Sequence, residues 1–230
     1  VTKSGTNQFH GAAYGYFRDE GLNANRWAPP GVTAQKDPLD RKQYGVALGG
    51  PIVKDKTFFF ASYSGLRQEG TYYRNSARVP TALERQGDFS QSAQKPRDPL
   101  TGQPFPGGII PSSRFDPAAF TIQERYVPQS NLPDSFFEVR VPDPYETDEA
   151  SFKLDHNFSS SSLLALSYFY QKGSDVQPLG SGGNIPWVDR DFTWTQHNAN
   201  LAHTWTLSPT TINQFRATYV RQFGGRINNP

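Results

Sequence analysis

The connections between the predicted strands of this chain alternate between long and short, which constrains the fold more than any single motif. Apolar and polar residues alternate along several short stretches, as they do in β-strands that have one apolar face. The seven strands that this alternation predicts are 9–18, 41–48, 57–66, 151–158, 163–172, 192–207 and 211–222. The connections are in turn long (19–40), short (49–56), very long (67–150), short (159–162), long (173–191) and short (208–210).

A soluble β-sandwich has no reason to keep short turns at one edge and long loops at the other. A bacterial outer-membrane barrel does, because its periplasmic turns are short and its extracellular loops are long. The pattern therefore predicts an all-β fold, namely an antiparallel transmembrane β-barrel segment of about seven strands.

The composition agrees with strands and turns rather than helices. Aromatic residues make up 14% of the chain, which also contains 20 Gly and 19 Pro. Lys and Arg number 23 against 21 Asp and Glu, so the charge balance gives no indication of a nucleic-acid partner. The sequence has no run of about 18 apolar residues that would predict a transmembrane helix, but barrel strands leave a much weaker signal.

The chain contains no Cys and no Met. The absence of Cys excludes disulfides, thiolate metal sites and a Cys nucleophile from this stretch of sequence. Because the chain begins at Val1 without Met and without a signal-peptide pattern, we expect it to be an internal piece of a longer protein.

One face of most predicted strands is apolar, and the other is polar. A Lys or Arg at the membrane mid-plane costs about 2–4 kcal/mol, so the apolar face is expected to meet lipid. The lipid-facing candidates are Tyr44, Val46, Leu48, Phe152, Leu154, Phe158, Leu164, Leu166, Tyr168, Leu201, Trp205, Phe215 and Tyr219. The lumen-facing candidates are Lys153, Asp155, Gln196, Asn198, Asn200 and Arg216, and their simplest role is a water-filled wall without substrate contact.

Aromatic residues near strand ends fit an interfacial girdle at the membrane surface. The residues in question are Tyr14, Tyr16, Tyr168, Tyr170, Trp194 and Trp205. Aromatic residues also favour strands in general, so this feature supports a barrel only together with the alternation of the connections.

The long segment 67–150 carries two helix signals. A helical turn is predicted at 81–85, and Asp116 followed by Pro117 predicts an N-cap and a short helix that ends near Tyr126. Loops of this length are usually functional or disordered, so we expect this segment to contact a ligand or to gate the barrel at the extracellular face.

No pattern in the sequence indicates catalysis. The four histidines are dispersed, and Asp155 and His156 are neighbours that point to opposite faces of a strand. Metal-protease, calcium-loop, phosphate-loop and serine-hydrolase motifs are lacking. We therefore expect no enzyme activity, no catalytic residue, no metal site and no cofactor.

Several motifs occur together and in a set order. They are VTKSGTNQFHG (1–11), LGGPIVKDKTFFFASYSGLR (48–67), VPTALERQGDFS (79–90), DPLTGQPFPGGIIPSSRFDP (98–117) and KLDHNFS (153–159). With them the chain resembles the Oar-like TonB-dependent outer-membrane receptors over most of its length.

The resemblance implies a fragment of a barrel of 22 strands, the size class whose lumen is plugged. Residues 1–8 are then a linker from an upstream plug domain, and residues 9–230 are a partial barrel that includes the extracellular loop 67–150. The resemblance also implies the outer membrane of a Gram-negative bacterium and contact with its lipid. A ligand of unknown identity is then imported with energy from TonB–ExbB–ExbD, through a plug and a TonB box outside this sequence.

Two other interpretations compete with a transporter. A passive porin or a surface adhesin is also a barrel, without a plug. A secreted β protein, such as a carbohydrate-binding module, also uses exposed aromatics, but it does not explain the alternating connections. The sequence does not indicate which substrate a transporter carries.

Overall fold

The computed structural model describes residues 3–25, 27, 36–178, 185 and 189–229. They form two compact units. The first is a sheet unit drawn from 1–71, 142–177 and 190–229, and the second is a loop unit drawn from 72–141 and 178–189. No helix in the described part of the chain is long and apolar enough to cross a membrane.

The described residues form eight β-strands, and the sequence-based prediction of an all-β, antiparallel fold is confirmed. The strands are β1 (His10–Asp19), β2 (Leu39–Val53), β3 (Thr57–Arg78), β4 (Phe136–Pro142), β5 (Tyr145–Ser159), β6 (Ser162–Pro178), β7 (Asp189–Ser208) and β8 (Thr211–Asn229). Their order in the sheet is β1-β2-β3-β5-β6-β7-β8, and β4 pairs with β3 off this path.

The strands are longer than the alternating pattern predicts. Gly49, Gly50 and Pro51 had the composition of a turn, but they extend β2 because they pair with Phe60, Phe59 and Phe58. The turn itself is reduced to Lys54, Asp55 and Lys56. β3 likewise passes its predicted end at 66 and reaches Arg78, and β5 begins at Tyr145 rather than 151. Backbone hydrogen bonds continue the pairing where the side chains no longer alternate.

The pairing register assigns each residue to one of two faces. Paired residues in an antiparallel sheet point to the same side, and successive residues alternate. Leu48, Ala61, Phe152 and Tyr168 thus form one row of what we call the apolar face. Their neighbours Ala47, Ser62, Ser151 and Phe169 form a row of the opposite, polar face.

Aromatic rings cover glycines of the neighbouring strand at three places in the sheet. The ring of Tyr14 covers Gly45, the ring of Tyr44 covers Gly65, and the indole of Trp194 covers Gly173. A Cβ added at Gly173 would lie 2.2 Å from Cζ2 of Trp194. Any side chain there would displace the ring, so these glycines are required by the packing of the sheet.

These contacts correct the prediction of a single aromatic girdle. Tyr14 and Tyr16 pair with Gly45 and Gln43, and this register places them on the polar face. Trp194 is on the polar face as well, because its ring stands where a side chain at Gly173 would point. Alternation alone does not show which face an aromatic near a strand end occupies, and the register decides it.

The loop unit contains both predicted helices. In α1 (Ala82–Arg85) the Thr81 hydroxyl accepts from the Glu84 N–H, and the Glu84 carboxylate accepts from the Thr81 N–H. The hydrogen bond from the Ser92 hydroxyl, and then the one from Thr81, lower the pKa of Glu84. In α2 (Pro117–Tyr126) the Asp116 carboxylate caps the first turn, as the sequence predicted.

The loop unit also holds the buried apolar residues. In the described part of the chain, the buried hydrophobic residues are Ala77, Val79, Phe105 and Val141. The loop unit therefore has a small core of its own, whereas the sheet unit buries little apolar surface within this chain.

The contact between Gly173 and Trp194 can be tested by adding one methyl group. We expect Gly173→Ala to lower the unfolding free energy of the complete protein by about 1–3 kcal/mol, because the indole must leave its site. Urea unfolding followed by Trp fluorescence measures the change. The control is Gly225→Ala, since a Cβ at Gly225 has no atom within 4 Å. Equal stability of the two variants would show that the ring does not require the glycine.

Candidate functional site

The six lumen-facing candidates lie on the polar face. Lys153 and Asp155 alternate with the apolar residues of β5 and approach each other to 3.4 Å. Asn200 donates to the Ser167 hydroxyl and to the Asn198 side chain, and it accepts from the Thr218 hydroxyl. Gln196 and Arg216 share this face by alternation along β7 and β8. That this face lines a lumen stays a prediction.

Further polar contacts cross the same face between β3, β5 and β6. The hydroxyls of Ser62 and Ser151 lie 2.6 Å apart, and Gln171 donates to the Glu149 carboxylate at 2.7 Å. The sequence did not single out these residues, because their partners lie far away along the chain. Side-chain hydrogen bonds on the polar face thus link β3 to β5, β5 to β6, β6 to β7 and β7 to β8.

The thirteen lipid-facing candidates lie together on the apolar face. The register places those of β2, β5 and β6 there directly. Phe158 packs against His156 with ring centroids 4.6 Å apart, and the Tyr168 hydroxyl lies 2.7 Å from Nδ1 of His197. His197 also stacks on Phe223 of β8 with ring centroids 5.9 Å apart, so alternation along β7 and β8 adds Leu201, Trp205, Phe215 and Tyr219.

The apolar face is not covered by other parts of the described chain. Val46 and Leu48 are 55% and 50% exposed, and Phe215 and Tyr219 are 56% and 58% exposed. A contiguous apolar surface of this kind is typical of a face that meets lipid or another protein.

Charged residues begin on the apolar face at one definite row. Below that row, toward the short turns, Tyr63, Ala150 and Tyr170 form an uncharged row. In the next row Asp148 accepts two hydrogen bonds of 2.8 Å from the Arg67 guanidinium and one of 2.5 Å from the Tyr63 hydroxyl. The boundary between the two rows marks where hydrocarbon contact is expected to end.

The length of the uncharged part of the strands matches a membrane. In β5 the uncharged stretch of the apolar face lies within 150–158. A tilted strand needs roughly 9–11 residues to cross the hydrocarbon. The strands continue beyond the charged row, which the sequence pattern did not predict.

The segment before β1 lies on the polar face. The Lys153 ammonium donates to the Ser4 hydroxyl at 2.6 Å. Gly5 lies so close to the sheet that a Cβ there would be 2.4 Å from the Phe59 carbonyl oxygen. Lys3, Ser4, Gly5 and Thr6 line a cleft of about 290 Å³ together with Ala47, Gly49 and Phe60. Val1 and Thr2 of the predicted linker are outside the described residues.

The same segment is held at the turn between β2 and β3. The Asp55 N–H donates to the Asn7 side-chain oxygen at 2.8 Å, and the Asn7 amide donates to the Asp55 carboxylate. Nothing in the sequence around Ser4, Gly5 and Asn7 indicated these contacts, because their partners are set by the folded register.

Three of the histidines have local roles. His156 lies 2.9 Å from the Thr57 hydroxyl, His203 lies 3.0 Å from the Ser162 hydroxyl, and His197 bonds Tyr168. Among the described residues no group of three or more His, Asp or Glu is placed to hold a metal ion. The register separates His156 from Asp155 onto opposite faces.

The comparisons with known proteins point to a membrane barrel. The model of the outer membrane beta barrel domain family matches residues 1–230. Over 85 residues, or 34% of this chain, the sequence is 35% identical to the TonB-dependent transporter Oar of Myxococcus xanthus. This match spans 8% of the length of that transporter. No solved structure matches the chain.

The assignment of the two faces can be tested by labelling neighbouring residues of β5. We expect a spin label at Phe152→Cys to collide with oxygen dissolved in lipid, and one at Lys153→Cys to collide with a water-soluble nickel chelate. Power-saturation EPR on the complete protein in lipid vesicles measures both. A label at Glu146→Cys, on the apolar face beyond the charged row, should respond to nickel. A lipid-exposed label at position 153 would overturn the assignment.

Proposed function

Because the chain belongs to the outer membrane beta barrel domain family and is located in an outer membrane, we propose that it is part of a TonB-dependent receptor. In this proposal the barrel binds a substrate at the cell surface of a Gram-negative bacterium and imports it with energy that TonB transmits. The protein then acts as a receptor and transporter rather than as an enzyme.

The segment that contacts the polar face is the observation that carries this proposal. Ser4 contacts Lys153 on the same face as Asp155 and Asn200, so the chain reaches β1 from the side assigned to the lumen. A domain that precedes β1 would then be connected to it from inside the barrel. A large barrel with a domain inside has a plugged lumen, and a source of energy that moves this domain would then open it.

The similarity to a TonB-dependent transporter supports the same proposal. The Myxococcus protein carries that function in its name, and the identity with it is 35%. The partners that we propose are outer-membrane lipid at the apolar face and TonB–ExbB–ExbD, which would act through a plug and a TonB box upstream. We propose no cofactor and no nucleic-acid partner.

The loop unit is the part of this chain in which we place ligand contact. Its own core at Ala77, Val79, Phe105 and Val141 gives it a defined surface that a disordered loop would lack. Arg114 forms a bidentate pair with Asp98 within it, and this pair lowers the pKa of the Asp98 carboxyl.

Conductance separates a plugged receptor from a porin. We expect the complete protein in planar lipid bilayers to show no steady ion conductance, because a plug closes the lumen, and to conduct after urea unfolds the plug reversibly. We also expect it to bind the periplasmic domain of TonB from the same organism in a pull-down. A steady open conductance without urea, together with no TonB binding, would favour the porin.

Residues 80–134, the part of the loop unit between β3 and β4, can be replaced without removing a strand. The Val79 N–H donates to the Ser135 carbonyl at 2.9 Å, so the two ends meet and 80–134 can be replaced by a short epitope tag. We expect this variant to assemble in the outer membrane and the epitope to bind antibody on intact cells. The control is the same tag at the short turn 209–210 between β7 and β8, which should stay hidden. An epitope that becomes accessible only after permeabilisation would contradict the extracellular placement.

A further inference from the structure

The segment 3–7 is tied first to the turn between β2 and β3. Asn7 and Asp55 exchange two hydrogen bonds, in which each residue both donates and accepts. Asp55 has a φ of 61°, and its conformation is fixed within the three-residue turn. This turn is also bonded to β5, because the Asn157 N–H donates to the Lys56 carbonyl at 2.8 Å. This contact point is therefore tied to three strands.

A second contact of the segment 3–7 lies on the polar face. The Lys153 ammonium donates to the Ser4 hydroxyl at 2.6 Å and lies 3.4 Å from Asp155. The side chains of Lys153 and Asp155 are only 16% and 21% exposed. A hydrogen bond that involves a shielded charged group is stronger than one at an exposed position.

Gly5 lies between the two contacting residues Ser4 and Asn7. Its backbone approaches the sheet so closely that a Cβ would lie 2.4 Å from the Phe59 oxygen and 2.7 Å from the Gly50 oxygen. Both contacts are with main-chain atoms of paired strands, so the sheet cannot move aside as a side chain can. Only glycine allows the chain to lie against the sheet at this point.

We propose that Ser4, Gly5 and Asn7 form an anchor that stays on the barrel wall when the chain before them is displaced. The reason lies in the position of β1, whose pairing with β2 begins at His10 opposite Gly49. Without further contacts, a force on the preceding chain would act directly on the β1–β2 hydrogen bonds. With the anchor in place, the force is borne by the contacts of Ser4 and Asn7 together.

In a transporter, this anchor sets the boundary between the part that TonB moves and the part that stays. That role rests on the function proposed above, whereas the anchor itself does not. Asn7 and Gly5 are positioning residues, since they fix the path of the chain without touching a substrate.

Trypsin measures the anchor in the complete protein in detergent. The probe is cleavage of the Lys3–Ser4 bond, followed by mass spectrometry of the new N-terminus at Ser4. We expect cleavage to be about tenfold faster in Asn7→Ala and in Gly5→Ala than in the wild type. Both substitutions increase the fraction of molecules in which the segment 3–7 has left the sheet. The matched control Gly225→Ala should cleave at the wild-type rate, since a Cβ there has open space. Equal rates in all four proteins would overturn the proposal.

Pulling on the N-terminus with an atomic force microscope tests whether the anchor bears load. We expect the wild type in lipid to show a separate rupture peak before the first barrel strand unfolds. Gly5→Ala and Asn7→Ala should lose this peak and keep the later ones, and Gly225→Ala should keep all of them. A wild type without the peak, or a peak that survives in both anchor variants, would refute the anchor.

These results are independent of whether the protein is a transporter. A protein that fails to bind TonB can still show the protected Lys3–Ser4 bond and the rupture peak. A protein that binds TonB but shows neither would retain the proposed function and lose the anchor.

Discussion

The hydrogen-bond register between β2, β3, β5 and β6 is the constraint on which the rest of the structure depends. It determines which side chains share a face, and a shift by one residue would exchange the two faces of a strand. With the observed register, Leu48, Phe152 and Tyr168 lie in one row, and Ser62 and Ser151 meet on the other side. The separation of apolar and polar surface follows from this pairing and from no single residue.

The two faces call for different surroundings. The exposed apolar face, with Val46, Leu48 and Phe215 about half exposed, is stable where it meets hydrocarbon. Side chains of the polar face hydrogen-bond one another across the strands, and Lys153 also donates to Ser4 of the segment before β1. A strand that crosses a membrane must also bond its backbone groups to neighbouring strands, and the long antiparallel pairings do this for the strands between β1 and β8. Membership of an outer-membrane barrel family agrees with both features.

Much of the architecture could be predicted from the sequence, since it depends on local signals. The alternation located all seven strands of the main sheet path, and Thr81 and Asp116-Pro117 located both helices. β4 was missed although Phe137, Val139 and Val141 alternate with Glu138 and Arg140, because the whole of 67–150 was assigned to one loop. The predicted strands were too short. Gly49 to Pro51, for example, have the composition of a turn, but their pairing with Phe58 to Phe60 keeps them in β2. The faces of Tyr14 and Trp194 and the contacts of Ser4, Gly5 and Asn7 depend on partners across the sheet, which no local pattern encodes.

The path of the chain before β1 links the fold to the proposed function. A cryo-EM structure of the complete protein in lipid nanodiscs shows this path most directly. We expect a closed barrel with the face of Lys153 and Asn200 inside, Leu154 and Leu166 outside, and the chain before Lys3 continuing into a domain within the lumen. A barrel with an empty lumen, or a chain that leaves Ser4 toward the periplasm without entering the barrel, would contradict this account.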